Sequence, residues 1–218
     1  MNLLTPIVIH IISPKPWRFI RESSQYGKRE QIYSELLLNS PVRNSTHFPL
    51  TRVSTYLKDG FTVADIGSGT GYYSFRLANL KKNIKVITVD PNHDARKYLE
   101  ELIRKKGIDN IRVAMEPADS IGSIKDSSVD FVFSHLMLCC MSNHEGAMGE
   151  TMKILRNRGN AFISVNRSSS ESDERNLTLR EWESIKKKFN VVADGKSLTS
   201  RWIIINKNTD EPNYGDDF

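Results

Sequence analysis

The stretch Val63-Ala64-Asp65-Ile66-Gly67-Ser68-Gly69-Thr70-Gly71 decides the reading of this chain. With Phe61 and Thr62 it forms a short apolar run, the mark of a buried strand, and the run ends in glycines. Tyr73, Leu77 and Leu80 follow at helical spacing. A glycine-rich turn between a strand and a helix lets a ligand approach the backbone closely. It also presents the helix's first N–H groups to that ligand. The spacing discriminates between ligands. A G-x-G-x-x-G dinucleotide turn needs a glycine at position 72, and this chain has Tyr72 there.

Outward from this turn, strand-like and helix-like segments alternate. Lys85–Asp90, Ile111–Met115, Asp130–Ser134 and Ala161–Val165 read as further strands. Ala95, Leu99, Leu102 and Ile103 share one helical face, with Gly107 placed as its C-terminal cap. Met148, Met152 and Leu155 make another helical stripe, expected to stop near Gly159. Trp182, Ile185 and Phe189 mark a last helix, and Val191-Val192 and Trp202–Asn206 close the domain. Strands separated by helices pair in parallel through crossovers. The final two strands have no helix between them and should pair antiparallel. The expected fold is therefore a doubly wound, mostly parallel α/β sheet of seven strands, carrying an N-terminal helical cap.

Three regions follow: a helical extension over 1–57, a ligand-binding domain over 58–207 and an acidic, flexible tail over 208–218. In the extension, Ile32, Tyr33, Leu36 and Leu37 suggest one helix stopped by Asn39-Ser40-Pro41, and Leu50, Val53 and Leu57 suggest another. Aromatic and basic residues (Trp17, Arg18, Phe19, Arg21, Tyr26, Lys28, Arg29) cluster ahead of them. The 218 residues are 39% apolar and 26% charged, an ordinary globular balance with a formal charge of +5. Asp210–Phe218 holds four acids and no base, so the remainder carries +9. A basic body favours an anionic partner only weakly, because a solvated basic surface is common.

The run Leu3–Ile12 is short, broken by Pro6 and His10, and lacks a preceding base, so neither a signal peptide nor a membrane span is expected. The only cysteines are the neighbours Cys139 and Cys140. Side chains of adjacent residues point apart in regular elements, which disfavours a disulfide between them, and the spacing does not suit zinc. They read as packing residues of a reduced, cytoplasmic protein, and no metal centre is expected.

With these motifs in hand, residues 60–206 resemble the class I S-adenosylmethionine-dependent methyltransferases. Within that family the resemblance is to the small-molecule branch around the ubiquinone/menaquinone methyltransferases. It implies S-adenosyl-L-methionine as the methyl donor and a set of donor contacts. Asp65 matches the acid near the methionine end, and Gly67, Ser68, Gly69 and Gly71 match the turn that packs on the donor. Asp90, ending the second strand in Val86-Ile-Thr-Val-Asp90-Pro91-Asn92, is placed to accept both ribose hydroxyl protons. An ionised carboxylate there would repel a 2′-phosphate; Pro91 follows it in the same contact region. Asp119 with the Ser120 backbone matches the adenine site, and Ser134 ends the fourth strand facing the sulfonium. Tyr26 or a nearby arginine would hold the donor carboxylate.

Some expected features are missing. Enzymes that methylate exocyclic amino groups of bases often carry Asn/Asp-Pro-Pro-aromatic after the fourth strand. Cytosine C5 enzymes place a Pro-Cys nucleophile there. This chain has Ser134-His135-Leu136-Met137, so both chemistries are disfavoured. The family's Leu-Lys-Pro-Gly-Gly turn reads Leu155-Arg-Asn-Arg-Gly159-Asn160 here. Methyl transfer from a sulfonium needs alignment first and a base only for acceptors that hold their proton. His135 is the first candidate base and His144 the second. The expectation is methyl transfer to oxygen or nitrogen of a small organic acceptor. The alternatives are a macromolecular acceptor (tRNA, peptide or protein) and a non-enzymatic binding subunit. No membrane partner is expected, and the oligomeric state is not legible.

Overall fold

A computed structural model of the protein describes residues 48–166, 177–197 and 200–208. The first expected helix of the extension, Tyr26 and the acidic tail after residue 208 lie outside the described residues. Seven strands form one sheet in the order β3-β2-β1-β4-β5-β7-β6. They are β1 (Thr62–Ile66), β2 (Lys85–Val89), β3 (Ile111–Ala114), β4 (Val129–His135), β5 (Leu155–Asn166), β6 (Val191–Lys196) and β7 (Ser200–Asn206). β1 to β5 pair in parallel, and β7 runs antiparallel to both β5 and β6. The expected sheet is thus present, with the helix-free β6–β7 connection producing the antiparallel edge.

Among the described residues five helices flank it: α1 (Phe48–Val53), α2 (Tyr72–Leu77), α3 (His93–Lys106), α4 (His144–Ile154) and α5 (Leu179–Lys188). The chain winds outward from β1 through β2 to β3, then returns to place β4 on β1's other side. At that switch point a doubly wound sheet is expected to bind its ligand, in a crevice beyond the C-terminal ends of β1 and β4.

Alternation along the strands makes two cores. Phe131, Phe133 and Phe162 point to the face covered by α1 and α2, among Leu50, Val53, Leu77 and Ile84. Val132 and Ile163 point to the other face, against Met148 and Met152 of α4 and Trp182 and Ile185 of α5. Across β4, β5 and β7 the rings of Phe133, Phe162 and Trp202 stack at centroid distances of 5.3 and 6.2 Å. The Arg52 guanidinium sits 4.3 Å over the Trp202 ring. These large, fully buried rings fill the middle of the sheet's first face, so they fix how β4, β5 and β7 lie together.

Local signals set the helix ends. α3 starts at Asn92, whose side chain accepts from Ala95 N, and stops at Gly107 in the left-handed conformation, as its sequence predicts. α5 opens with a Thr178–Glu181 capping box. Several boundaries differ from expectation: α1 ends at Val53, leaving Leu57 outside it, and Phe189 follows α5 as its C-cap. α2 ends at Leu77, leaving Leu80 in the following turn. α4 ends at Ile154 rather than near Gly159, because Ser127 and Ser128 donate to Lys153 O and Ile154 O and Leu155 already pairs with Val129. The ammonium of Lys207 closes that helix end by donating to Met152 O and Leu155 O. Residues 156–159 then bulge out before Asn160 resumes pairing opposite Phe131, with Arg158 at φ 62°. Among the described residues, no helix is long and apolar enough to cross a membrane.

Phe133→Ala should remove the β4 end of the stack and leave a cavity beside Phe162. We expect a loss of about 3–5 kcal/mol of stability, read as a lower urea midpoint at unchanged slope.

Candidate active site

The crevice is built on the turn after β1. Gly67, Gly69 and Gly71 have φ of 78°, 53° and 83°, a region that side chains other than glycine's rarely occupy. Two of them also lack room for anything larger. A Cβ on Gly67 would stand 2.6 Å from Met137 Cβ and Cγ, and one on Gly71 would stand 2.5 Å from Leu99 Cδ1. The turn therefore packs against the loop after β4 on one side and against α3 on the other. Gly67 N and Ser68 N both donate to Val89 O at 2.8 and 3.3 Å, tying the turn to the end of β2.

Two carboxylates meet there. The Asp90 carboxylate accepts from Gly69 N at 2.8 Å through Oδ2 and from Asn92 N at 2.9 Å through Oδ1. Burial pushes its carboxyl above the usual carboxylate range, and those two backbone N–H groups oppose the rise. Each oxygen keeps a lone pair beyond the backbone bond it accepts, because a carboxylate has about four acceptor sites. Asp65 is buried on β1 and accepts from Ser74 Oγ at 2.5 Å. Its carboxyl is raised to about 7, first by burial, with the Ser74 bond opposing and the nearby Asp90 charge adding to the rise. Two acids held up by burial in one crevice suit a ligand that brings both hydroxyl donors and positive charge.

The remaining predicted residues distribute as follows. Asp119 accepts from Asn143 Nδ2 at 3.0 Å, and Ser120 is exposed with its N donating to Pro117 O. Pro91 is exposed, and Ser68 is half-buried in the turn. Ser134 is fully buried near the end of β4, and its hydroxyl lacks a protein partner. His135 lies within β4 rather than after it, with Nδ1 2.6 Å from Ser164 Oγ. Its ring meets Tyr73 edge-on at 4.9 Å. His144 opens α4 on the other face of the sheet, buried and 3.3 Å from Glu181 Oε1. The structure thus gathers Asp65, Asp90 and the glycine turn, and sets His135 on the α2 face and His144 on the α4 and α5 face.

The adjacent cysteines depart from expectation. They occupy a 3-10 turn, Leu138–Cys140, in which both sulfurs turn toward Leu136 O instead of pointing apart. Sequence reading also passed over Ser74, Tyr73, Met137, Asn143 and Ser164. Only Ser164 carried a signal, as a polar residue in the apolar strand Ala161–Val165.

A glycine turn, a buried acid on β1, a half-buried acid just after β2 and an unpartnered buried hydroxyl fit a nucleoside-bearing ligand at a switch point. Comparison with known proteins identifies the class. Residues 57–210 match the family model described as a methyltransferase domain, so the chain belongs to that family, the class I S-adenosylmethionine-dependent methyltransferases. Over 77 residues it is 36% identical to ribosomal RNA small subunit methyltransferase G of Lactobacillus helveticus, covering 35% of this chain and 32% of that one. It is 26% identical over 143 residues to the human thiol S-methyltransferase TMT1A, covering 63% and 54% of the two chains. The chain spans less than half the length of several curated relatives it matches. The fold superimposes on phosphoethanolamine N-methyltransferase 2 of Haemonchus contortus, solved with S-adenosyl-L-methionine, with a TM-score of 0.70 at 16% identity. That match covers 88% of this chain and 60% of the other.

The raised Asp65 carboxyl has a consequence for stability. A carboxyl that keeps its proton to about 7 when folded, against 3.8 ordinarily, binds more protons in the folded state across that interval. The ligand-free protein should therefore lose stability from this group as pH rises from about 4 to about 7. Asp65→Asn, whose amide oxygen can still accept from Ser74, should abolish that part of the decline. Melting temperatures of both proteins across this range check it, with the variant gaining on wild type toward pH 7.

Proposed function

We propose that this protein transfers a methyl group from S-adenosyl-L-methionine to an oxygen or nitrogen of a small organic acceptor, with His135 taking the acceptor's proton. The reading places it in the branch around the ubiquinone/menaquinone methyltransferases, working in a reducing, cytoplasmic setting. One observation carries it: His135, anchored on Ser164 and flanked by the Tyr73 ring, ends the strand beside the one that carries Asp65.

When bound, the donor supplies an already activated methyl group on a sulfonium whose positive charge disperses during transfer. The chain's own residues hold and screen it. Asp90 receives the ribose hydroxyls on the lone pairs its backbone bonds leave over, and Gly67, Gly69 and Gly71 keep the turn close to the ligand. Asp65 offers negative charge toward the donor's amino group. Asp119 and Ser120 receive the adenine, and Ser134 lies toward the reacting end. Tyr73 stands edge-on beside His135, which suits a compact acceptor and would help keep water out. In the tautomer whose Nδ1–H donates to Ser164 Oγ, the basic nitrogen of His135 is Nε2, the one that would accept a proton from an acceptor hydroxyl or amine.

A macromolecular acceptor is the second reading, favoured by the 36% identity over 77 residues to a ribosomal RNA methyltransferase. Positive charge that is modest and interspersed with acids such as Glu22, Glu30 and Glu35 supports the small acceptor instead.

Calorimetry should show micromolar binding of S-adenosylmethionine and S-adenosylhomocysteine, roughly 7–9 kcal/mol. Asp90→Ala should weaken it by about 2–3 kcal/mol with the fold intact, because a charged acceptor is lost; heat with NAD and none with either sulfur compound would overturn the assignment. Labelled donor supplied with cell extract should mark the low-mass fraction. His135→Gln should slow that labelling by about 100-fold or more while leaving donor affinity unchanged. Filter binding against bulk tRNA at two salt concentrations separates the rival, which requires tight, strongly salt-dependent retention and labelled methyl groups in the RNA.

A further inference from the structure

The two ends of the sheet differ in charge. Segments 67–71, 90–94 and 115–120 leave β1, β2 and β3 on the side of the donor crevice. They hold Asp90, Asp94, Glu116 and Asp119 and neither lysine nor arginine. The segments that enter β2 and β3 at the opposite end reverse this. Residues 78–85 carry Lys81, Lys82 and Lys85 with no acid, and residues 104–110 carry Arg104, Lys105 and Lys106 against Asp109. All six cations are exposed, and among the described residues none of them is in an ion pair.

These two segments face each other across an open groove. Asn79, Lys81, Lys82 and Asn83 line one bank, and Gly107 and Asp109 line the other. Asn110 ties the banks together, its Nδ2 donating to Ala78 O at 3.2 Å and to Ile84 O at 2.9 Å. Arg104, Lys105 and Lys106 form the last turn of α3, where cations also offset the negative end of the helix dipole. Lys81, Lys82 and Lys85 lie outside the helices and have no such role. Their concentration opposite α3's last turn suits a polyanion, which gains free energy by releasing its condensed counterions to such a surface.

We propose that this groove docks RNA through its backbone, with the cations on phosphates and Asn79 and Asn83 placed for ribose 2′-hydroxyls. Side-chain amides both donate to and accept from a hydroxyl, and the 2′-hydroxyl is the group that DNA lacks. Neither segment holds an aromatic residue to stack on a base, so the contact is independent of base sequence. A bilayer fits less well, because charge holds it firmly only beside an apolar or lipid anchor. The exposed large apolar side chains among the described residues are Met115, Leu179 and Val192, and none of them lies on these segments. The donor crevice is at the other end of the same strands. RNA held here is attached to the protein without being presented to the donor, so the inference stands apart from the acceptor proposed above.

The full chain, without donor, is titrated with bulk tRNA by filter binding at about 50 mM and about 200 mM salt. Wild type should bind, and its affinity should fall steeply between the two. Lys81→Ala with Lys82→Ala, and separately Lys105→Ala with Lys106→Ala, should each weaken binding about tenfold or more at the lower salt. Each pair should also reduce the log–log salt slope by about 1–2, two phosphate contacts being lost. Arg180→Ala with Lys187→Ala removes the same charge from exposed positions on α5 and should change affinity little. Equal losses in that control pair, full binding by both groove pairs, or no retention of wild type at the lower salt would overturn the surface. Duplex DNA of matched length should compete less well than tRNA, and equal competition overturns the choice of RNA. Phosphatidylserine vesicles that retain wild type but not the groove pairs, with tRNA unbound, would assign the groove to a membrane instead.

Discussion

Met137 and Leu99 close on the glycine turn so tightly that a single added carbon at Gly67 or Gly71 would collide with them. This approach is the constraint on which the rest of the molecule depends. It locks the loop after β4 and helix α3 onto the end of β1, and the crevice between them takes its width from that contact. The N–H groups of the turn are aimed by the same packing. Gly69 N reaches Asp90, while Gly67 N and Ser68 N reach Val89 O. A looser turn would release Asp90, and the carboxylate would lose its orientation before any ligand arrived. Rigid packing of apolar side chains thus prepares a polar site.

Electrostatics at the site run against folding. Asp65 is buried and Asp90 half-buried, the Asp90 charge adds to the rise at Asp65, and neither acid is paired with a base among the described residues. Hydrogen bonds from Ser74, Gly69 and Asn92 only partly offset the burial. By contrast Asp130, also buried, serves structure: it accepts from Thr62 N and pairs with Arg156. Acids left without a counter-charge where a cationic ligand is expected are the usual form of a trade between stability and binding.

Much of this was legible along the chain. Apolar runs marked most of the parallel strands, because these are buried on both faces and need no alternation to be noticed. Gly107 and the Asp65–Gly71 turn were legible because they act locally, through φ and through neighbours in sequence. Features set by register were not. Whether His135 meets Ser164 depends on the bulge at residues 156–159, which shifts β5 against β4. Ser74 reaching Asp65 and Asn143 reaching Asp119 require helices to be seated on the sheet first. The end of α4 at Ile154 was hidden too, since Leu155 continues the helical stripe and only its pairing with Val129 shows it to be strand. The rule that neighbouring side chains diverge failed at Cys139 and Cys140 because a three-residue 3-10 turn is too short to be a regular element.

The order of the last two strands has a consequence for how the protein is made. β7 lies between β5 and β6 although β6 precedes it in the chain. As synthesis proceeds, β6 leaves the ribosome before the strand that joins it to the sheet exists. Until Ser200–Asn206 emerges, β5 presents an open hydrogen-bonding edge, and Phe162 lacks the Trp202 ring that stacks on it. An apolar open edge is a template for pairing with other chains. The domain therefore completes this sheet only after β7 is translated, and β5 keeps an exposed edge during that interval.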